Sequence, residues 1–146
     1  MDQETAELIK QVETTGGAWV NGDASGFATH ASQKDDFSIM GPFGGPPAIG
    51  WTLYASVAPR VAAQFKSGTS RTQVISAHKS GDLLVLVQIE HQTVLFAGDD
   101  APQDWNLRVT QVYRREDNEW RIVHRHADPL LVMRSMDEAK ELARKK

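Results

Sequence analysis

The chain carries five histidines, nineteen carboxylate side chains, two tyrosines and no cysteine, so its chemistry must rest on imidazole, carboxylate, phenol or a bound group. Three arrangements have spacing that matters. His124, His126 and Asp128 form H-x-H-x-D on a strand-like segment, and residues two apart share a face, so they could reach a common metal. No further ligand from another segment is identifiable, and paired histidines on a polar sheet surface give the same pattern, so no metal is expected. Asp35 and Asp36 are adjacent carboxylates, which on a strand point to opposite faces and therefore read as a cap and a turn rather than an acid–base pair. His91 lies in the alternating segment DLLVLVQIEHQTVLFAG. An imidazole in a partly apolar cavity titrates near neutral pH and can act as a general base, with a hydrogen-bonded core histidine as the alternative. The glycines between residues 41 and 50 match no phosphate-binding fingerprint, and no cofactor is expected.

The elements that must position these groups fall into two halves. From Glu4 to Trp19 the apolar residues Leu8, Ile9, Val12 and Trp19 share one face at helical spacing, and Asn21-Gly22-Asp23 breaks the pattern. Asp23 is placed to cap a shorter helix running to about Ser32, followed by a brief strand from Asp36 to Met40. Its exit, GPFGGPPAIG, is too rich in glycine and proline to be regular, and Phe43 within it could act as a lid. Trp51, Leu53, Tyr54, Val57, Val61 and Phe65 suit a third helix, which Pro59 should kink or restart. From Thr69 the period changes to two, in four long segments separated by turns at Ser80-Gly81-Asp82, Gly98-Asp99-Asp100 and Asp117-Asn118, which predicts an antiparallel meander. Ser135-Met136-Asp137-Glu138 has the form of a capping box and starts a terminal helix over about 135–146, ending in Arg-Lys-Lys. Helices followed by a sheet class the fold as α+β, and a sheet curled over a helix leaves an open-ended cavity in which a ligand can sit.

Bulk composition narrows the function classes. At 146 residues, 40% hydrophobic and 24% charged, the chain suits one domain with a sizeable core, about 4–130, plus the terminal helix. No apolar run is long enough to cross a bilayer, and the acidic, amphipathic start MDQETAELIKQVE is unlike a signal peptide, so a cytoplasmic location and no membrane partner are expected. A net charge of -3 offers no general attraction to phosphate backbones, and nucleic acid is not an expected partner.

Three stretches carry a resemblance. The first helix followed by Gly22-Asp23, the DDF-x-I-x-GP-x-G strand and loop from Asp35 to Gly44, and the closing hairpin from Arg108 to Asp128 with its W-x-I-V-H-x-H segment together resemble the SnoaL-like, or nuclear transport factor 2-like, superfamily. Within it the hairpin is most similar to the association domain of calcium/calmodulin-dependent protein kinase II, beside the ketosteroid isomerase-like branch. The resemblance implies a conical fold and a homodimer formed through the outer faces of the sheets, but no single function. It also allows specific machinery to be tested. The isomerase base would fall on Gly41, which has no side chain, its second aspartate on Gln111 and its tyrosine near Thr15. The three arginines of the association-domain pocket would fall on His91, Gln111 and Ala127, none of them arginine, although Arg125 shares a strand face with Ala127 and supplies one cation.

Placing Gln111 inward puts Val109, Tyr113, Val85, Val87, Ile89, His91, Val123, Arg125 and Ala127 on the cavity face, unless a one-residue bulge swaps the sets. The leading expectation is a homodimeric protein binding a small, partly apolar, anionic or carbonyl-bearing molecule. Arg125, Gln111 and His91 are then the polar contacts, and Trp51, Tyr54 and Tyr113 the walls, while Trp19, Trp105 and Trp120 are assigned to packing. The alternatives are a cofactor-independent isomerase, dehydratase or hydrolase with His91 as base and Gln111 or Tyr113 polarising a carbonyl, and a pure oligomerisation module.

Overall fold

The computed structural model describes residues 1–144 and shows N-terminal helices packed into the concave side of a single curved seven-stranded sheet. Helix α1, Gln3–Trp19, starts where the Asp2 carboxylate accepts the Thr5 amide at 2.7 Å, an N-cap that satisfies one of the first-turn donors. It buries Leu8 and Val12, as its spacing predicts. Helix α2 is Ser25–His30, with Asp23 accepting the Ser25 amide at 2.9 Å. Strand β1, Ser38–Met40, is followed by a short strand that the sequence pattern does not announce, β2, Ala48–Ile49, which pairs back onto β1 across the Gly/Pro loop. Helix α3 runs unbroken over Trp51–Ala62, so Pro59 neither divides nor restarts it.

The sheet is dominated by β3, Phe65–Ser80, β4, Leu83–Phe96, β6, Leu107–Glu116, and β7, Glu119–Asp128, with a two-residue β5, Gln103–Asp104, beside β4. Strand order is β2-β1-β7-β6-β4-β3. The four long strands are antiparallel as the turn signals predict; Asp117 and Asn118 both take positive φ, 51° and 65°, matching the twist of a two-residue hairpin loop. The exception to the meander is β1, which adds in parallel to β7, bringing the loop after Met40 beside the end of the last strand.

Two irregularities aim the side chains. Between Val112 and Tyr113 the β6–β7 ladder shifts register, so that Val112 faces His124 but Tyr113 faces Ile122, leaving Val123 as the extra residue. Trp120 and Ile122 therefore turn into the core although they are out of step with Ala127. At the other edge, a Cβ on Gly68 would lie 2.3 Å from the Thr93 carbonyl oxygen, so only glycine permits β3 to approach β4 there. Asn21 secures the same point, donating to the Gly17 and Gly68 carbonyls and accepting the Gly68 amide.

The main core joins Leu8 and Val12 of α1 to Phe27, Phe37, Tyr54, Leu84, Leu86, Tyr113, Trp120 and Ile122. A second cluster, Val20, Phe65 and Val94, is backed by Trp19, Val61, Phe96 and Trp105. Helix α4, Met136–Leu142, carries the expected capping box between Ser135 and Glu138 but buries none of its residues. The last two residues of the expected helix, Lys145 and Lys146, lie outside the described residues.

Candidate functional site

Between the helices and the sheet lies a cavity of about 230 Å³. Its walls are mostly apolar: Val12 and Trp19 from α1, Phe27 from α2, Tyr54, Val57 and Val61 from α3, Phe65 and Leu107 from the sheet, and Trp105 from the link between β5 and β6. Pro42, Phe43 and Pro46 of the Gly/Pro loop complete one side, with the Phe43 ring 5.7 Å from that of Trp105. Trp19 and Trp105, assigned to packing from their sequence context, line this space. Trp51, assigned to its walls, does not; its ring packs on Phe37 at 5.3 Å and Tyr54 at 5.7 Å, within the aromatic core.

Against these walls stands one chain of polar side chains. Arg125 on β7 grips Glu90 on β4 with two parallel hydrogen bonds, Nη1 to Oε2 at 2.9 Å and Nη2 to Oε1 at 2.8 Å. The same Nη1 donates to Gln111 Oε1 at 2.9 Å, and Gln111 Nε2 donates to the Tyr113 hydroxyl at 2.7 Å. On the far side Gln88 Nε2 donates to Glu90 Oε2 at 2.9 Å, while Gln88 Oε1 is buried without a partner among the described residues. The pair is deeply placed, with side-chain exposures of 16% for Arg125 and 5% for Glu90. Burial alone would push the Glu90 carboxyl up, but the Arg125 charge and hydrogen bonds outweigh it and hold the carboxyl below its ordinary range. Burial likewise disfavours the guanidinium, and Glu90 more than restores it. The result is an ion pair with no net charge inside an apolar cone.

The two tyrosines of the chain both reach this space. Burial raises the Tyr54 phenol to about 12 and the Tyr113 phenol further, so both are protonated at neutral pH. Tyr113 accepts from Gln111 and leaves its own proton unused among the described residues, and the Tyr54 hydroxyl makes no hydrogen bond to them. Both Glu90 oxygens and Gln111 Oε1 are already occupied. Gln88 does not line the cavity, so what Tyr54, Tyr113 and Gln111 offer a bound molecule there is donors.

The expected sites separate on these facts. Tyr54, Gln111, Tyr113 and Arg125 come together in the cavity. His91 does not join them, because the inward residues of β4 are Leu84, Leu86, Gln88, Glu90, Gln92 and Val94. The expected parity of β4 is thus reversed: Leu86, not Val85 or Val87, pairs with Gln111, and His91 faces outward, where it bonds to Gln73 at 2.8 Å. Val123 leaves the expected inward set as well, through the register shift described above. His30, at the end of α2, is the imidazole that does line the cavity; burial, and secondarily Arg121, keep its pKa below the usual histidine value. On the outer face His124 is bonded to Ser38 Oγ at 2.7 Å and Asp128 to Arg108, and the described residues contain no group of three or more potential ligands placed to hold a metal.

A fold with this cone, this strand order and this closing hairpin has relatives. A family model described as a SnoaL-like domain matches residues 15–131. The chain belongs to the SnoaL-like family. No curated protein matches its sequence. Among solved structures, this SnoaL-like chain is similar to a protein from Streptomyces avermitilis provisionally described as a dehydratase of the nuclear transport factor 2-like family, with TM-score 0.75 at 18% identity over 90% of this chain and 99% of that one. It is similar to a nuclear transport factor 2-like superfamily protein of Salmonella enterica serovar Typhimurium, with TM-score 0.70 at 17% identity over 91% and 98%. A third likeness is to a provisionally named calcium/calmodulin-dependent protein kinase II association domain from Thiobacillus denitrificans, with TM-score 0.65 at 19% identity over 82% and 92%. At such identities these neighbours speak for the SnoaL-like fold. Among the described residues no helix is long and apolar enough to cross a membrane.

Proposed function

We propose that this SnoaL-like protein binds a small, partly apolar organic molecule in its cone, as a homodimer. The observation that carries the reading is the pairing of an apolar, aromatic-walled cavity with a single convergent patch of unspent donors, the combination that orients one polar group of an otherwise apolar ligand. Homodimerisation is supported by the outer sheet face, where Val85, Val87 and Ile89 are only half-buried and Ile75 is 55% exposed, a band of β-branched side chains that one chain leaves uncovered. Native mass spectrometry of the purified protein tests both statements together. A dimer with retained extra mass is the expected result; a monomer, or an empty protein that also takes up nothing from a screen of small apolar carbonyl compounds, would sink the reading.

One observation favours catalysis in the same cavity. His30 is a cavity imidazole held neutral by its surroundings, and the tyrosine hydroxyls can stabilise a negative oxygen. In that reading His30 takes a proton from the carbon beside a bound carbonyl, and the C–H electrons pass into an enolate whose oxygen the hydroxyls hold. The proton then returns to carbon from the imidazolium. Protein-dependent deuterium uptake at that carbon in D2O, lost in His30→Ala and retained in His91→Ala, is the outcome expected. Equal uptake by the His30→Ala protein would exclude His30 as the base.

A further inference from the structure

We propose that Glu90 sets the charge of the ligand, making the cavity select an uncharged carbonyl oxygen over a carboxylate. The inference rests on the binding reading above and adds the chemical class. A lone buried arginine at the wall of an apolar cone would attract an anion, and Arg125 considered by itself invites that conclusion. Its guanidinium, however, already faces a carboxylate in the two-point geometry that such groups prefer, at 2.8 and 2.9 Å. A carboxylate ligand arriving at Gln111 or Tyr113 would place a second negative charge beside Glu90 with little water to screen it, and its own desolvation would have no uncommitted cation to offset it.

A ketone, aldehyde, ester or amide oxygen meets the opposite situation. It needs donors and no counter-charge, and the patch supplies two phenol protons, from Tyr113 and Tyr54, with the second Gln111 amide proton beside them. Gln88 strengthens the arrangement from behind, since its amide donates to Glu90 and helps keep that carboxylate charged and turned toward Arg125. Glu90 thus acts as a specificity-determining residue by occupying the arginine. Removing its charge while keeping its shape should release Arg125 to bind an anion.

The test uses two ligands of one shape, 2-acetylnaphthalene and 2-naphthoate, titrated calorimetrically at pH 7.5 into the wild type and Glu90→Gln. The wild type is expected to bind the ketone at least about tenfold more tightly than the naphthoate, and Glu90→Gln to reverse that order. Tyr113→Phe supplies an independent arm should Glu90→Gln fold poorly: it should weaken the ketone by about tenfold, and an unchanged ketone affinity would overturn the placing of the carbonyl oxygen on that hydroxyl. Preference of the wild type for naphthoate, or an unchanged ratio in folded Glu90→Gln, overturns the charge assignment while leaving the cavity a binding site. Failure of the wild type to bind either compound overturns the binding reading itself, and the proposal with it.

Discussion

The two faces of the sheet are built from the same strands and nearly the same residue types, yet they treat charge in opposite ways. Deep in the concave face lies the ion pair Glu90–Arg125, with side-chain exposures of 5% and 16%, tied on both sides into glutamine and tyrosine. The convex face and rim spread theirs in water. Arg108 meets Asp128 with two hydrogen bonds of comparable length, 2.8 and 3.0 Å, but with the arginine side chain 54% exposed. Equal geometry does not mean equal energy. In the cone each charge has surrendered its hydration and depends on its partner; on the rim water stands ready to replace either one.

The comparison is broken most severely by removing one inner charge. Arg125→Met should cost about 3–5 kcal/mol in urea unfolding at pH 7, because Glu90 is left buried and unpaired. The cost should shrink toward pH 3, where the stranded carboxyl can take up a proton. Next comes acid itself. Glu90 has a folded pKa below its unfolded one, so its contribution is complete above the ordinary glutamate value near 4.5 and is lost as pH falls through the depressed folded value; wild-type stability should drop through that window, and less steeply in Glu90→Gln. Tyr113→Phe should cost about 1–2 kcal/mol, since the Gln111 amide loses its acceptor in a site only 2% exposed. Arg108→Ala should cost less than about 1 kcal/mol by the same measurement, and a larger loss there would erase the distinction between the faces. The smallest effect belongs to the C-terminal helix: limited trypsin cleavage after Arg134 should shift stability by less than about 0.5 kcal/mol, as α4 buries nothing.

How much of this the sequence discloses depends on how each strand distributes its apolar residues. The helices and turns are legible because their signals are local, as at the capped start of α1 and at Asp117-Asn118. Strand β6 is legible too: Val109, Gln111 and Tyr113 alternate with Arg108, Thr110 and Arg114, and the inward set follows once Gln111 is placed. Strand β4 is not. Leu84, Leu86 and Val94 lie on one face and Val85, Val87 and Ile89 on the other, so both faces read as apolar and parity cannot be decided from alternation. Glu90 then passes for a solvent-facing residue and His91 for a cavity one. A signal was present, in that an inward Arg125 needs a carboxylate and Glu90 is the only acidic residue of β4. The register shift at Val123 has no such mark, because inserting one residue opposite Val112 and Tyr113 changes nothing in the local pattern. The parallel addition of β1 to β7 is equally silent, being a contact between residues 86 apart.

The buried pair also bears on how the chain finds its fold. Glu90 and Arg125 sit on strands that are not neighbours, with β6 between them, so they meet only when three strands are in the right order and register. A slip of one residue in either ladder would turn one partner to the outside and strand the other charge in the cone. The pair therefore weighs against misaligned sheets that interchangeable leucine, valine and isoleucine faces would otherwise tolerate, since each such arrangement leaves a buried charge unpaired.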